Sequence, residues 1–328
     1  MRVVVLTAAE VTALLPMPVC IDAMAQAFTS LCRGEAHQPL RLVFRPPRAA
    51  GIMAFMPAYQ GTSPPVFGLK AIGIFPGNAA RQMDTHQGAV ALFDGETGEL
   101  RALMNGAAIT AIRTAAVSAL ATRLLAREDA GDLALIGSGT QARTHLEALA
   151  CVRPLRRVRV ASRSLERARR FAEEMSGAGR ILVEAMPSVE EAVRGADLIV
   201  LATDAAEPVV KREWISAGTH LNAVGASLPT RREVDSATMA SARLFVDRRE
   251  STTNEAGDYL IPLAEGAIAK DHIRAELGEV LTGARPGRET RDEITLFKSL
   301  GLAIEDLAAA AAVCERALAS GVGASVEF

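Results

Sequence analysis

Residues 132–163, DLALIGSGTQARTHLEALACVRPLRRVRVASR, restrict the fold of this chain more than any other stretch. An apolar run, Leu133 to Ile136, meets the glycine pair Gly137 and Gly139. A segment follows in which Ala142, Leu146 and Leu149 recur at helical spacing. A second β-branched run, Val158 to Ala161, comes about twenty residues later, completing the βαβ setting in which G-x-G-x-x-G/A carries meaning. Here the third small residue is Ala142.

In such a turn the missing side chains let backbone approach a pyrophosphate. The following helix start offers free N–H groups and a partial positive charge. Gly137, Gly139, Thr140 and Gln141 are therefore candidate dinucleotide-binding residues, the alternative being a merely structural βα turn. The end of the second strand selects the cofactor, because an acid there bonds the adenosine ribose and repels an added phosphate. That place holds Ser162, Arg163 and Ser164, a guanidinium between hydroxyls, which favours NADP(H) over NAD(H). The alternative for Arg163 is a solvated charge at a strand end.

From residue 132 onward strand-like runs alternate with helical segments. DLALIG, RVRVASR, RILVEAM, DLIVLAT, HLNAVGA and RLFVDRR are separated by stretches such as LERARRFAEEM and SVEEAVRGA, the latter with a Ser188/Glu191 capping box. This pattern predicts an α/β fold with a doubly wound parallel sheet. The first 115 or so residues instead show LRLVFRP, IMAFMPAY, VFGLKAIGIFP and the pair GAVALFD/ELRALMNG, joined through a Gly-Glu-Thr-Gly hairpin signal. They predict a smaller α+β domain, a mostly antiparallel sheet behind one helix, Pro18 to Cys32. After Ile294 the chain is expected to be helical, through LFKSLGLAIEDLAAAAAVCERALAS.

With 49% apolar and 23% charged residues over 328 positions, the composition is that of a globular protein with room for two domains. Net charge is −2, and the cluster Arg153, Arg156, Arg157, Arg159 surrounds a single strand, so no nucleic-acid partner is expected. The four cysteines form no C-x-x-C pair and are expected to be reduced and buried. The five histidines have no H-x-x-x-H spacing, so no metal is expected. Glu10 interrupts the early apolar residues and no apolar run approaches the roughly 20 residues of a membrane span. A cytoplasmic protein without a membrane partner is the expectation.

Three cations sit oddly in apolar runs: Lys70 in VFGLKAIGIF, Arg113 in GAAITAIRTAAVSAL and Arg41 in QPLRLVF. Such a charge costs free energy unless paired or facing a cleft, and Arg113, read near a helix start, also opposes the helix dipole. Together the three could clamp a carboxylate, although each alone could be a snorkelling surface residue. Asp258 in NEAGD reads as a replacement acid, a cofactor-loop residue or a solvated helix cap. His86 reads as a proton shuttle or a hydrogen-bonded structural residue.

FGLKAIGIFPGNAARQMDTHQGAVALFDGETGEL, MNGAAITAIRTAAVSALATRLLA, IGSGTQARTHLEAL, NAVGASLP and EAGDYLIPL together resemble the ornithine cyclodeaminase/mu-crystallin family over nearly the whole chain. The resemblance implies a Rossmann domain, residues 118–299, and a substrate-binding and dimerisation domain made of residues 1–117 with 300–328. It implies hydride transfer between a nicotinamide and the Cα of an amino acid or its imine, in a homodimer. By motif, Arg41, Lys70 and Arg113 match substrate-carboxylate binders, with Lys70 near the reacting nitrogen. Thr85, Thr203 and the loop from Ala226, with Ser227, match positions lining nicotinamide and substrate. The chain departs from the cyclodeaminases in carrying Gly225-Ala226-Ser227 where they have a G-G-D-like acid, and Ala54-Phe55-Met56-Pro57 where they have a glutamate before Met-Pro. A diamino substrate would want both carboxylates. The G-A-S form is similar to the ketimine reductase branch, so the expected activity is NAD(P)H-dependent reduction of an α-imino carboxylate such as Δ1-pyrroline-2-carboxylate. Ornithine cyclodeaminase, an alanine-type dehydrogenase and a non-catalytic dinucleotide-binding protein are the alternatives.

Overall fold

The computed structural model describes residues 2–81, 83–177 and 181–327. The chain divides into two units, Met1–Arg113 with Gly301–Phe328, and Thr114–Leu300.

The first unit is built on an eight-stranded sheet. Its order is Ala324–Glu327, Arg2–Leu6, Leu100–Asn105, His86–Asp94, Val66–Ile74, Ile52–Gln60 and Ala36–His37, with Leu42–Phe44 also paired to Ile52–Gln60. Neighbours are antiparallel except Arg2–Leu6 and Leu100–Asn105, which run parallel. The hairpin before Leu100 is closed by Asp94, whose Oδ1 accepts from the backbone N–H of Glu96 and Thr97. Side chains alternate across the pleat. Gly68, Lys70 and Ile72 are buried on one face, while Phe67 is exposed and Leu69 and Ala71 half-buried on the other. Helix Ala303–Ser320 packs on the buried face beside helix Met17–Cys32. Gly68 permits this approach, since a Cβ there would come within 2.8 Å of Leu307 Cδ1.

Two expectations change here. The expected early helix is there as Met17–Cys32, but a second one, Ala8–Leu14, precedes it, with Pro16 after the first serving as N-cap of the next. The segment after Ile294 is not all helix. Thr295–Lys298 is a fully buried strand, and the helix starts only at Ala303 after Gly301, which turns the chain at φ +79°.

The second unit carries an all-parallel sheet in the order Val183–Ala185, Arg157–Ala161, Asp132–Ile136, Leu198–Leu201, His220–Ala223, Thr295–Lys298, Arg243–Val246 and Ile273–Glu276. It is a Rossmann-type doubly wound α/β sheet, with the strand order reversing beside Asp132–Ile136. Buried parallel strands need apolar side chains on both faces, and Leu198–Leu201, LIVL, is buried throughout. The six runs read from the sequence are all strands; Thr295–Lys298 and Ile273–Glu276 are additional ones. Arg180, at the head of the RILVEAM run, lies outside the described residues.

Helix Gly106–Leu125 contains the boundary between the units. It is long and apolar enough in composition to cross a membrane, but 78% of that window is buried inside the protein. Arg113 is in its interior, not its first turn. At its C-terminal end Arg153 donates to the carbonyls of Thr122, Arg123 and Ala126, and Arg288 to that of Leu125, satisfying acceptors that the helix leaves open. The other arginines of the expected basic cluster are also engaged: Arg156 with Asp197, Arg157 with Glu184, and Arg159 with the carbonyls of Glu191 and Arg194. The four cysteines are free thiols; Cys20 and Cys314 are buried, but Cys32 and Cys151 are exposed, each at or next to a helix C-terminus.

Candidate active site

Strand Val66–Ile74 turns Lys70 toward the helix-covered face, and helix Gly106–Leu125 presents Arg113 to the same place. Both side chains are almost wholly buried. Their counter-charges are Glu305 and Asp306, adjacent acids in the first turn of helix Ala303–Ser320. Lys70 Nζ lies 2.6 Å from Asp306 Oδ2. Arg113 Nε donates to Asp306 Oδ1 at 3.0 Å and Arg113 Nη1 to Glu305 Oε2 at 2.5 Å. Asp306 thus bridges the two cations, each oxygen holding one. Gly301 leaves room for the guanidinium, because a Cβ there would stand 2.5 Å from Arg113 Nη1.

Arg41, half-buried, donates from Nη2 to the carbonyl of Gly301 at 3.1 Å. The structure therefore brings all three sequence-nominated cations to one end of helix Ala303–Ser320. Burial pulls the Lys70 ammonium down to about 8; Asp306 opposes that pull, and Arg113 and Arg41 add to it. A lysine in that range exchanges its proton near neutral pH. Arg113 is held charged, its pKa raised despite desolvation by Asp306 and Glu305. His86 is exposed at the end of its strand, 3.0 Å from Thr85 Oγ1, and its pKa is lowered first by desolvation and then by the charge of Lys70.

Glu305 and Asp306 were not among the residues that the sequence singled out. In LAIEDLAAAAAV two acids at a helix start look like ordinary dipole complements. The available signal was the apolar sequence on both sides, which leaves them no solvent.

In the second unit, Gly137 leaves strand Asp132–Ile136 at φ +117°, where a Cβ would collide with the carbonyl oxygen of Ala202. Gly139 is exposed, has open space at its Cβ position, and stands as N-cap of helix Thr140–Ala150 without any side-chain cap. That helix start is therefore open to an anion, and the turn fits a dinucleotide pyrophosphate. Ser138 Oγ donates to Ser162 Oγ at 3.0 Å across the two strand ends; Arg163 is exposed, and Ser164 Oγ accepts from the N–H of Arg167. Gln141 supports the helix differently, its carbonyl taking up His145 Nδ1 at 2.6 Å while His145 Nε2 meets Ser118 Oγ at 2.9 Å. Burial pushes this histidine down to about 4, so it is neutral and structural.

Thr203 follows strand Leu198–Leu201 and the loop Gly225–Ser227 follows strand His220–Ala223, at the carboxyl edge where open α/β sheets bind ligands. Ser227 is exposed and Thr203 half-buried. Asp258 is not a solvated cap. It is fully buried, accepts from the N–H of Glu233 and Val234, and pairs with the equally buried Lys298 at 2.9 Å. Among the described residues, no group of three or more histidines, cysteines, aspartates or glutamates is arranged to hold a metal ion.

An open glycine turn at a helix start on a doubly wound parallel sheet is the arrangement of the dinucleotide-binding class of protein, and the first unit adds a buried cluster of cations and carboxylates. The chain belongs to the ornithine cyclodeaminase/mu-crystallin family, whose profile matches residues 1–321. It is 40% identical to the ketimine reductase mu-crystallin of Mus musculus over 290 residues, covering 88% of each chain. Among solved structures it is similar to the Thermococcus litoralis Δ1-pyrroline-2-carboxylate reductase in complex with NADH and L-proline, with TM-score 0.95, 40% identity and coverage of 98% of this chain and 100% of the other. An archaeal alanine dehydrogenase dimer with bound NAD gives TM-score 0.94 at 34% identity, with full coverage of both chains.

Proposed function

We propose that this NAD(P)-dependent oxidoreductase is an imine reductase acting on small α-imino carboxylates, of which Δ1-pyrroline-2-carboxylate is the best representative. The observation that carries the reading is the buried Lys70–Asp306–Arg113 cluster, with Lys70 brought to about 8. Arg113 and Arg41 supply the guanidinium groups that orient a substrate carboxylate. Lys70 has the charge to share that task and a proton to give to the imine nitrogen, which makes the carbon a better hydride acceptor. The reduced nicotinamide supplies the hydride. Gly137, Gly139, Thr140 and Gln141 would hold its pyrophosphate, and Thr85, Thr203 and Ser227 its nicotinamide end and the substrate.

NADP(H) is the proposed cofactor, because Ser162, Arg163 and Ser164 place an exposed guanidinium and two hydroxyls, and no acid, after the second strand. NAD(H) is the other possibility, and the two relatives above were solved with it. The loss of an acid at Gly225-Ala226-Ser227 speaks against cyclisation of a diamino acid.

A homodimer is proposed from the uncovered face of the first unit's sheet. By register, Leu42, Phe44, Met53, Phe55, Tyr59, Phe67, Leu69, Phe93 and Leu103 share that face. Leu42, Phe44, Phe67 and Leu103 are exposed, an apolar surface of the kind that a second copy covers.

The test is consumption of NADPH or NADH with Δ1-pyrroline-2-carboxylate. Oxidation dependent on the imine is expected. Activity confined to pyruvate with ammonia would replace this reading by an alanine dehydrogenase, ammonia release from ornithine with NAD by a cyclodeaminase. Dinucleotide binding without turnover of any of them would leave a binding protein.

A further inference from the structure

Glu233 has no place in the reading above, yet it is one of the most densely bonded side chains in the second unit. It is completely buried. Its Oε1 accepts from the backbone N–H of Thr203 at 2.8 Å and from Thr203 Oγ1 at 2.7 Å. Its Oε2 accepts from the N–H of Gly225 at 2.6 Å and of Ala226 at 3.2 Å. The donors belong to the two loops that follow adjacent parallel strands, Leu198–Leu201 and His220–Ala223. One carboxylate therefore ties both strand ends together.

The tie is itself anchored. Asp258 Oδ1 receives the N–H of Glu233 at 2.7 Å, Lys298 pairs with Asp258, and Lys298 Nζ donates to the carbonyl of Ala226 at 2.6 Å. The Ala226 residue is thus held through its N–H by Glu233 and through its C=O by Lys298. Gly225 fits only as glycine, since a Cβ there would collide with Thr203 backbone and the Glu233 carboxylate. Three backbone N–H groups and one hydroxyl surround the Glu233 oxygens, and a proton on Oε2 would face N–H groups alone. Burial raises the carboxyl's pKa, and Lys298 and the Thr203 donors oppose that rise.

In a doubly wound sheet a dinucleotide crosses the switch point, one nucleotide over each half. The glycine turn and Ser162–Ser164 belong to the adenosine half, so Thr203 and Gly225–Ala226 belong to the nicotinamide half. We infer that Glu233 is a positioning residue for the nicotinamide end of the cofactor, setting the backbone of Thr203 and Gly225–Ala226 without touching the cofactor itself. The inference rests on the dinucleotide reading above.

The experiment compares, in Glu233→Gln and wild type, the affinity for the whole dinucleotide with that for ADP-ribose, which lacks the nicotinamide, both by calorimetry. A carboxamide must turn its NH2 toward at least one backbone N–H, of Thr203 on one side or of Gly225 and Ala226 on the other, so the loops shift. Expected is a loss on the order of tenfold for NADPH and NADH with ADP-ribose changed less than about twofold, together with faster amide exchange at Thr203, Gly225 and Ala226. Glu233→Asp, which keeps the charge but shortens its reach to the two loops, should show the same pattern more weakly, and stands in if the glutamine variant does not fold. Equal weakening of both ligands, or no change in either, overturns the inference. A wild-type protein that binds neither ligand overturns the dinucleotide reading, and this inference with it.

Discussion

Lys70 Nζ and Asp306 Oδ2 lie 2.6 Å apart, with both side chains buried. The carboxylate offsets part of the desolvation that lowers Lys70 to about 8, so the charged form persists below that pH and is lost above it. If the ammonium supplies the proton for reduction, kcat/KM falls as pH rises through about 8 and is flat on the acid side. Asp306→Asn removes the largest group that raises Lys70, so the falling limb moves to lower pH. Lys70→Met costs about 10²- to 10⁴-fold in kcat. Rates that climb steadily into alkaline pH would rule out this proton donor.

Arg113 answers to two carboxylates, so its loss takes from the buried Glu305 and Asp306 the charge-assisted bonds it gives them. Arg113→Met is expected to destabilise the protein by about 3–5 kcal/mol in denaturant unfolding. Arg113→Lys keeps the charge but not the paired donors, and should raise the KM of the imino acid by about tenfold or more with a smaller loss of stability.

Gly137 stands at φ +117° with the Ala202 carbonyl against its Cβ position. Gly137→Ala adds backbone strain on the order of 1–3 kcal/mol and displaces the turn. Calorimetric titration should find dinucleotide and ADP-ribose weakened together, unlike the selective loss expected at Glu233.

Arg163 is exposed at the strand end. Arg163→Ser is expected to lower kcat/KM with NADPH by about ten- to a hundredfold, the worth of one or two charge-assisted hydrogen bonds, and to leave NADH nearly untouched. Equal values for the two cofactors in the wild type would remove Arg163 as the phosphate reader.

Phe67 lies exposed on the uncovered sheet face, with Phe44 two strands away. A Phe44→Asp, Phe67→Asp double variant should run as a monomer in light scattering where the wild type runs as a dimer. A monomeric wild type would refute the homodimer.

The parallel sheet was readable because strand, glycine turn and helix each carry a distinct period, and the oddly placed Lys70 and Arg113 were readable because a cation in an apolar run demands a partner. The partners were not. Glu305 and Asp306 sit where acids favour any helix start, and only the helix covering the sheet makes them buried counter-ions. Thr295–Lys298 reads as helix in the sequence because a four-residue run, TLFK, has no period of its own, and its neighbours in the sheet are distant in sequence. Asp258 reads as a replacement acid, a loop residue or a solvated cap, and its buried pairing is illegible for the same reason: its partner Lys298 comes from that strand.

The register also sets the order in which the molecule can be completed. Arg2 pairs with Glu327, and Thr295–Lys298 enters the parallel sheet between His220–Ala223 and Arg243–Val246, strands made long before it. A chain that stops before Thr295 lacks an interior strand of one unit, the covering helix of the other and the acids that neutralise Lys70 and Arg113. Such a truncated product exposes unpaired strand edges and buried-type charges, the features that make a polypeptide aggregate or be degraded.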